Sequence, residues 1–207
     1  MPHPAPGAGA GRTARSRYRG GMNALGRAVL RNDTPAIQAY LERGGNANAR
    51  VRNQAGEEFA LLHLATAYRQ DSIVDLLIRS GADPSITDPV GLTPLHYAAA
   101  ANDARLTDRL VHAGAAIDRA DAAGRTPLHV SAQFAARNAL SALLAEGADP
   151  TCTNKHGRTP AEVAVARGQV SVIDVLLTAQ RVWHRSREQE RATVVPTRRR
   201  DDQGQSL

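Results

Sequence analysis

The sequence predicts an all-α solenoid of stacked helix pairs with projecting hairpins, and three observations predict it. The tetrapeptide Thr-Pro-Leu-His stands at residues 93–96 and again at 126–129, with relaxed copies beginning at Ala60 and Thr159, so four starts fall 33 residues apart. Gly81, Gly114 and Gly147 each follow the start of a copy by 21 residues. Hydrophobic residues make up 42% of the chain but aromatic ones only 3%, so the core must be built from Ala, Leu, Val and Ile. A fixed period of this length marks a chain made of one supersecondary unit copied many times.

Each element of the unit follows from its residues. Thr93 and Thr126 are good helix N-caps, and Pro94 and Pro127 occupy the first helical position, where a missing N–H costs nothing. The helix begun there carries a short apolar face, Leu95, Ala98 and Ala99 in one copy and Leu128 in the next, and ends after about two turns near Asn102. A second apolar pattern, Ile73, Val74, Leu76, Leu77 and Ile78 or Leu106, Leu110 and Val111, predicts a second helix. Gly81, Gly114 or Gly147 closes it as the left-handed residue just past the helix end. The dozen residues before the next Thr are rich in Asp, Pro and Gly, the chemistry of a hairpin or turn. Helices this short do not overcome their nucleation cost alone, so each copy must bury its apolar side against the next.

Gly-x-Thr-Pro-Leu-His followed by an Ala-rich helix, a Leu-Leu helix and Gly-Ala-Asp resembles the ankyrin repeat. The likeness covers residues 59–180 in three complete units and a shortened fourth, and Ala24 to Gly45 resembles a degenerate first unit in which Thr34 and Pro35 cap the second helix. The units are expected near 23–58, 59–90, 91–123, 124–156 and 157–180, flanked by a disordered Arg/Gly/Pro-rich extension over 1–22 and an Arg-rich tail over 181–207. Two departures stand out: the hairpin after Gly44 is four residues longer than its neighbours, and the last unit has Gln180 where a closing glycine belongs. The resemblance implies a curved right-handed stack.

The formal charge of +6 sits at the ends. Residues 1–22 carry four Arg and no acid, residues 181–207 carry seven Arg against four acids, and the body between them is close to neutral. No run approaches the roughly 18 apolar residues of a membrane span, and the Pro- and Arg-rich opening lacks the apolar core of a secretory signal. The single cysteine, Cys152, excludes an intrachain disulfide and suits a reducing compartment. A cytoplasmic location is expected, with a nuclear one open.

His63, His96 and His129 share a column, which raises the question of a metal site. Packed helices lie roughly 8–10 Å apart whereas zinc needs nitrogen at about 2.0–2.1 Å, so one ion cannot reach two of them, and neither metal nor cofactor is expected. The resemblance implies another role for them, tying one repeat to the next through Thr and backbone groups. Phosphate-binding loops, nucleophile elbows and zinc-protease helices have no counterpart in this sequence, and no length remains for a catalytic domain; the expectation is a protein that is not an enzyme.

By position, the resemblance implies that hairpin tips and the exposed edge of the first helix meet a protein partner. The tips hold Gln54, then Pro89, Val90 and Leu92, then Arg125, then Lys155, His156 and Arg158. The helix edge holds Tyr68, Ala101, Phe134 and Arg167 in one column, with Gln133 before Phe134. The expected partner is an acidic protein gripped by Tyr68, Phe134 and the basic residues, with the chain acting as adaptor, inhibitor or targeting subunit and itself a monomer. The alternative is a regulatory factor whose tails, with Arg interleaved around Tyr18 and Trp183 and an Arg run at 198–200, contact nucleic acid or an anionic membrane.

Overall fold

A computed structural model of the chain describes residues 23–53 and 56–193. Gln54, Tyr18 and the Arg run at 198–200 lie outside the described residues. The helix pairs are α1 (Ala24–Leu30) with α2 (Thr34–Glu42), α3 (Leu61–Ala67) with α4 (Asp71–Arg79), α5 (Pro94–Ala100) with α6 (Ala104–His112), α7 (Pro127–Gln133) with α8 (Arg137–Ala145), and α9 (Pro160–Ala166) with α10 (Val170–Thr193). First helices form one continuous row, each packed on the next. Fully buried Leu62, Leu95 and Leu128, with Leu77, Leu110 and Leu143 from the second helices, belong to a single core running the length of the stack.

The caps form as the residues dictate. Thr93, Thr126 and Thr159 adopt extended backbone and each opens a helix with Pro next, inside a reciprocal capping box. Gly81, Gly114 and Gly147 take φ of +85°, +92° and +89°, each two residues past the end of its second helix. In the first unit the cap is Asp33 and not Thr34: the Asp33 carboxylate accepts from the Ala36 N–H at 3.1 Å, because its short acid reaches the first-turn donors that Thr34, already inside the helix, cannot.

The extra four residues of the first hairpin lengthen each arm by two. The arms pair as antiparallel strands β1 (Arg50–Arg52) and β2 (Glu58–Ala60), with Val51 opposite Phe59. The same N–H to C=O closure recurs at the base of every loop, Asn53 to Glu57, Asp88 to Leu92, Asp121 to Arg125 and Asn154 to Arg158. In the last three the Asx oxygen also accepts from N–H groups two and four residues on, at 2.8–3.2 Å.

A second column makes the turn between the helices of each pair. Asn32, Arg69, Asn102, Ala135 and Gly168 all adopt φ between 52° and 66°. Asn102 also reaches into the next unit, where its Oδ1 accepts from the N–H groups of Asn138 and Ala139 at 2.8 and 3.1 Å. It thereby caps α8 of that unit, whose own first position, Ala136, has no side chain to do so.

Where α4 carries Val74 and Leu76, α6 carries Thr107 and Arg109, and both polar residues find partners. Thr107 is fully buried with its hydroxyl donating to the Asp103 carbonyl at 2.8 Å, and Arg109 reaches back to Asp75 at 3.1 Å and Asp71 at 3.6 Å on α4. The boundary placed at residue 180 falls inside a helix. With no glycine at Gln180 to terminate it, α10 continues through the Arg- and Glu-rich sequence to Thr193, a sequence of strong helix formers.

Candidate protein-binding surface

The histidine column is a ladder between units. Nε2 of His63, His96 and His129 lies 3.0, 2.9 and 2.9 Å from the carbonyl of Leu92, Arg125 and Arg158, each one unit on. A carbonyl only accepts, so Nε2 carries the proton. Nδ1 of His96 and of His129 then accepts from the backbone N–H of Thr93 and Thr126 at 3.1 and 3.2 Å, and from their hydroxyls at 2.9 Å. Burial drives His63 and His96 down to about 4 and lowers His129 as well, against the opposing pull of the carbonyls. These rings are neutral struts.

His63 differs because Ala60 replaces the threonine. Its ring meets Tyr97 edge-on at 5.5 Å, but Nδ1 is buried without a hydrogen-bond partner among the described residues. A buried acceptor left unmade costs on the order of 1 kcal/mol or more. Ala60→Thr restores both the cap and the donor, and is expected to raise unfolding free energy by about 1 kcal/mol in urea titration. An unchanged or lower midpoint would mean that the hydroxyl cannot fit beside Leu61.

The loops form one row. The Ala122 N–H donates to the Val90 carbonyl and the Lys155 N–H to the Ala123 carbonyl, both at 3.0 Å, so successive tips are stitched through their backbones. Pro89 is exposed and Val90 half-buried on that row. Leu92 does not face outward as expected: it is 6% exposed, because its position closes the loop onto the first helix while its carbonyl receives His63.

Arg125 is not a free cation either. Its Nη2 and Nε lie 2.6 and 2.8 Å from Oδ2 of the buried Asp121, and Nη1 donates to Gln133 Oε1 at 3.2 Å. The pair is neutral and holds Gln133 in place. Lys155, Arg158 and Arg167, with His156 beside them, are exposed and make no ion pair among the described residues. Tyr68, Ala101, Phe134 and Arg167 all stand at the C-cap of a first helix, which is why they share an edge. Tyr68 and Phe134 rest partly on the core and are half-buried, so each is partly exposed along that edge.

The profile of the family described as ankyrin repeats (3 copies) matches residues 62–154 and again 95–186, more than half of the chain. The chain belongs to the ankyrin repeat family. Ankyrin repeats are in general protein–protein interaction modules. An ankyrin repeat protein of fowlpox virus (strain NVSL) is 32% identical over 74 residues, 36% of this chain and 9% of the viral protein, so the chain spans only a small fraction of that relative's length.

Other groups on this ankyrin stack have their chemistry suppressed by placement. Among the described residues no group of three or more His, Cys, Asp or Glu is arranged to hold a metal ion, and no helix is long and apolar enough to cross a membrane. Burial, followed by the carboxylates of Asp149 and Asp118, pushes the Cys152 thiol up to about 11. Since the thiolate is the reactive form, alkylation of Cys152 by iodoacetamide at pH 7.5 is expected to be roughly 100-fold slower than that of an unperturbed thiol. A rate equal to that of free cysteine would contradict this. Trp183, read from the sequence as a tail aromatic, lies on α10 with the Arg187 guanidinium 5.2 Å from its ring, so one ring face is already engaged by a cation.

Proposed function

We propose that this ankyrin array is a non-catalytic binding subunit that holds a protein partner across the loop row and the first-helix edge. The adaptor, inhibitor and targeting roles share this mode of action. The observation that carries the reading is the combination of a backbone-stitched row of tips with half-buried Tyr68 and Phe134 beside it. Lys155, Arg158 and Arg167 at its far end favour an acidic partner. Leu92 leaves the contact set because it is buried, and Arg125 with Gln133 acts as a neutral brace beneath it.

The test is affinity capture with the full chain, followed by titration of the recovered partner against variants. Phe134→Ala is expected to cost about 2 kcal/mol of binding, as a buried aromatic anchor does. Arg158→Glu is expected to weaken binding and to reduce its dependence on salt. Binding left unchanged by both would overturn the reading, whereas binding lost only when residues 194–207 are removed would favour recognition by the Arg-rich end.

A further inference from the structure

Among the described residues, the last unit of the stack leaves an apolar face uncovered. In the column of Thr66, Ala99 and Ala132, all fully buried, stands Val165, which is 60% exposed. In that of Val74, Thr107 and Leu140, also fully buried, stands half-exposed Ile173. Leu177, in the column of the core-packed Ile78, Val111 and Leu144, is 39% exposed, and Val170, two turns before it on the same helix, is 76% exposed. Terminal repeats normally turn a polar face to water at these positions. Here α9 and α10 present the same apolar face that every earlier unit covers with its successor.

The charges on that face suggest what covers it. Asp174 precedes Leu177 by three residues and Arg181 follows it by four, so all three lie on one stripe of α10. Along the axis the two charges are roughly 10 Å apart, too far to pair with each other. Both are exposed, and neither makes an ion pair among the described residues. Antiparallel pairing of two α10 helices about a point between Leu177 and Thr178 places Asp174 of each copy opposite Arg181 of the other. One twofold operation therefore closes two ion pairs around a leucine contact, and parallel pairing would set like charges together.

We propose that a second copy of this chain covers the open end, the two meeting through α9 and α10 about a twofold axis beside Leu177. This differs from the monomer expected from sequence. It concerns a surface apart from the loop row, so partner capture there can stand or fall independently. About that point the two α10 helices overlap over residues 170–185, and a face of roughly 24 by 10 Å is small against the roughly 800 Å² per partner of a standard interface, so a micromolar, reversible dimer is expected.

The test is sedimentation velocity on the full chain from about 1 to 300 µM, bracketing that affinity range. The expected result is a monomer–dimer equilibrium that Leu177→Glu weakens by at least about tenfold, with circular dichroism and thermal midpoint unchanged. Asp174→Arg and Arg181→Asp should each be monomeric alone and should form heterodimers when mixed, because mixing restores opposite charges at both positions. A monomer across the whole range, association indifferent to these variants, or species growing beyond two copies by head-to-tail stacking would each overturn the proposal.

Discussion

Lowering the pH from 7 to 5 is expected to remove about 4 kcal/mol of folding free energy through His63 and His96 alone. Both imidazoles are buried and neutral, with native values of about 4 against 6.5 when solvated. Between those values the unfolded chain binds protons that the folded chain refuses, so stability rises with pH and is lost on acidification. At pH 5 each ring contributes about 2 kcal/mol to that loss, a large share of the roughly 5–15 kcal/mol typical of a folded domain. His129 acts in the same direction. Asp118, whose carboxyl is raised by burial, acts in the opposite one. The geometry agrees, since a proton on Nδ1 of His96 would face the Thr93 N–H that now donates to it. Urea unfolding at pH 7, 6 and 5 measures the effect. His96→Gln should be less stable at pH 7, yet lose about 2 kcal/mol less on going to pH 5; equal slopes for the two proteins would refute the assignment.

Gly124→Ala is expected to destabilise the stack by about 3 kcal/mol, and Gly157→Ala by only about 1 kcal/mol. Both glycines have positive φ, +75° and +69°, so both substitutions carry backbone strain. They differ in what the new methyl meets. At Gly124 it would lie 2.8 Å from the Lys155 backbone nitrogen, the donor that stitches this tip to the next, whereas at Gly157 nothing lies within 4 Å. Gly91 repeats the crowded case, with the Ala122 nitrogen at 2.9 Å. The difference between the first two variants in chemical denaturation therefore isolates the cost of loop-to-loop contact, and similar losses would show that strain alone governs these positions.

The sequence carried the fold wherever one residue type acts through its own backbone. Thr-Pro at a helix start and Gly after a helix end act locally, and they were legible with their positions correct in the later units, whereas in the first unit Thr34 lies inside the helix that Asp33 caps. The length difference at Gly44 was legible too, though not that it would build two strands. What escaped were columns in which one conformation is met by several residue types. The left-handed turn position reads Asn32, Arg69, Asn102, Ala135 and Gly168, and no single letter betrays it. The loop-anchoring position reads Asn53, Asp88, Asp121 and Asn154, displaced in the first unit by the longer arms.

The candidate surface was less legible than the fold, because facing a partner is a relation between units. Leu92 and Arg125 occupy tip positions by count, but one is turned into the core and the other is neutralised by Asp121.

By itself the sequence determined the period, the helix starts and stops of the complete units, and most of the core, since these rest on contacts within about one unit and on apolar spacing. Only the tertiary structure decided which carbonyls of the next unit the histidines reach, that Arg109 pairs with Asp71 and Asp75 and that Asn102 caps the following unit, and which apolar columns of the last described unit stay exposed. Those properties depend on atoms brought together from units 30 or more residues apart, and burial of a group is fixed by its neighbours and not by its own identity.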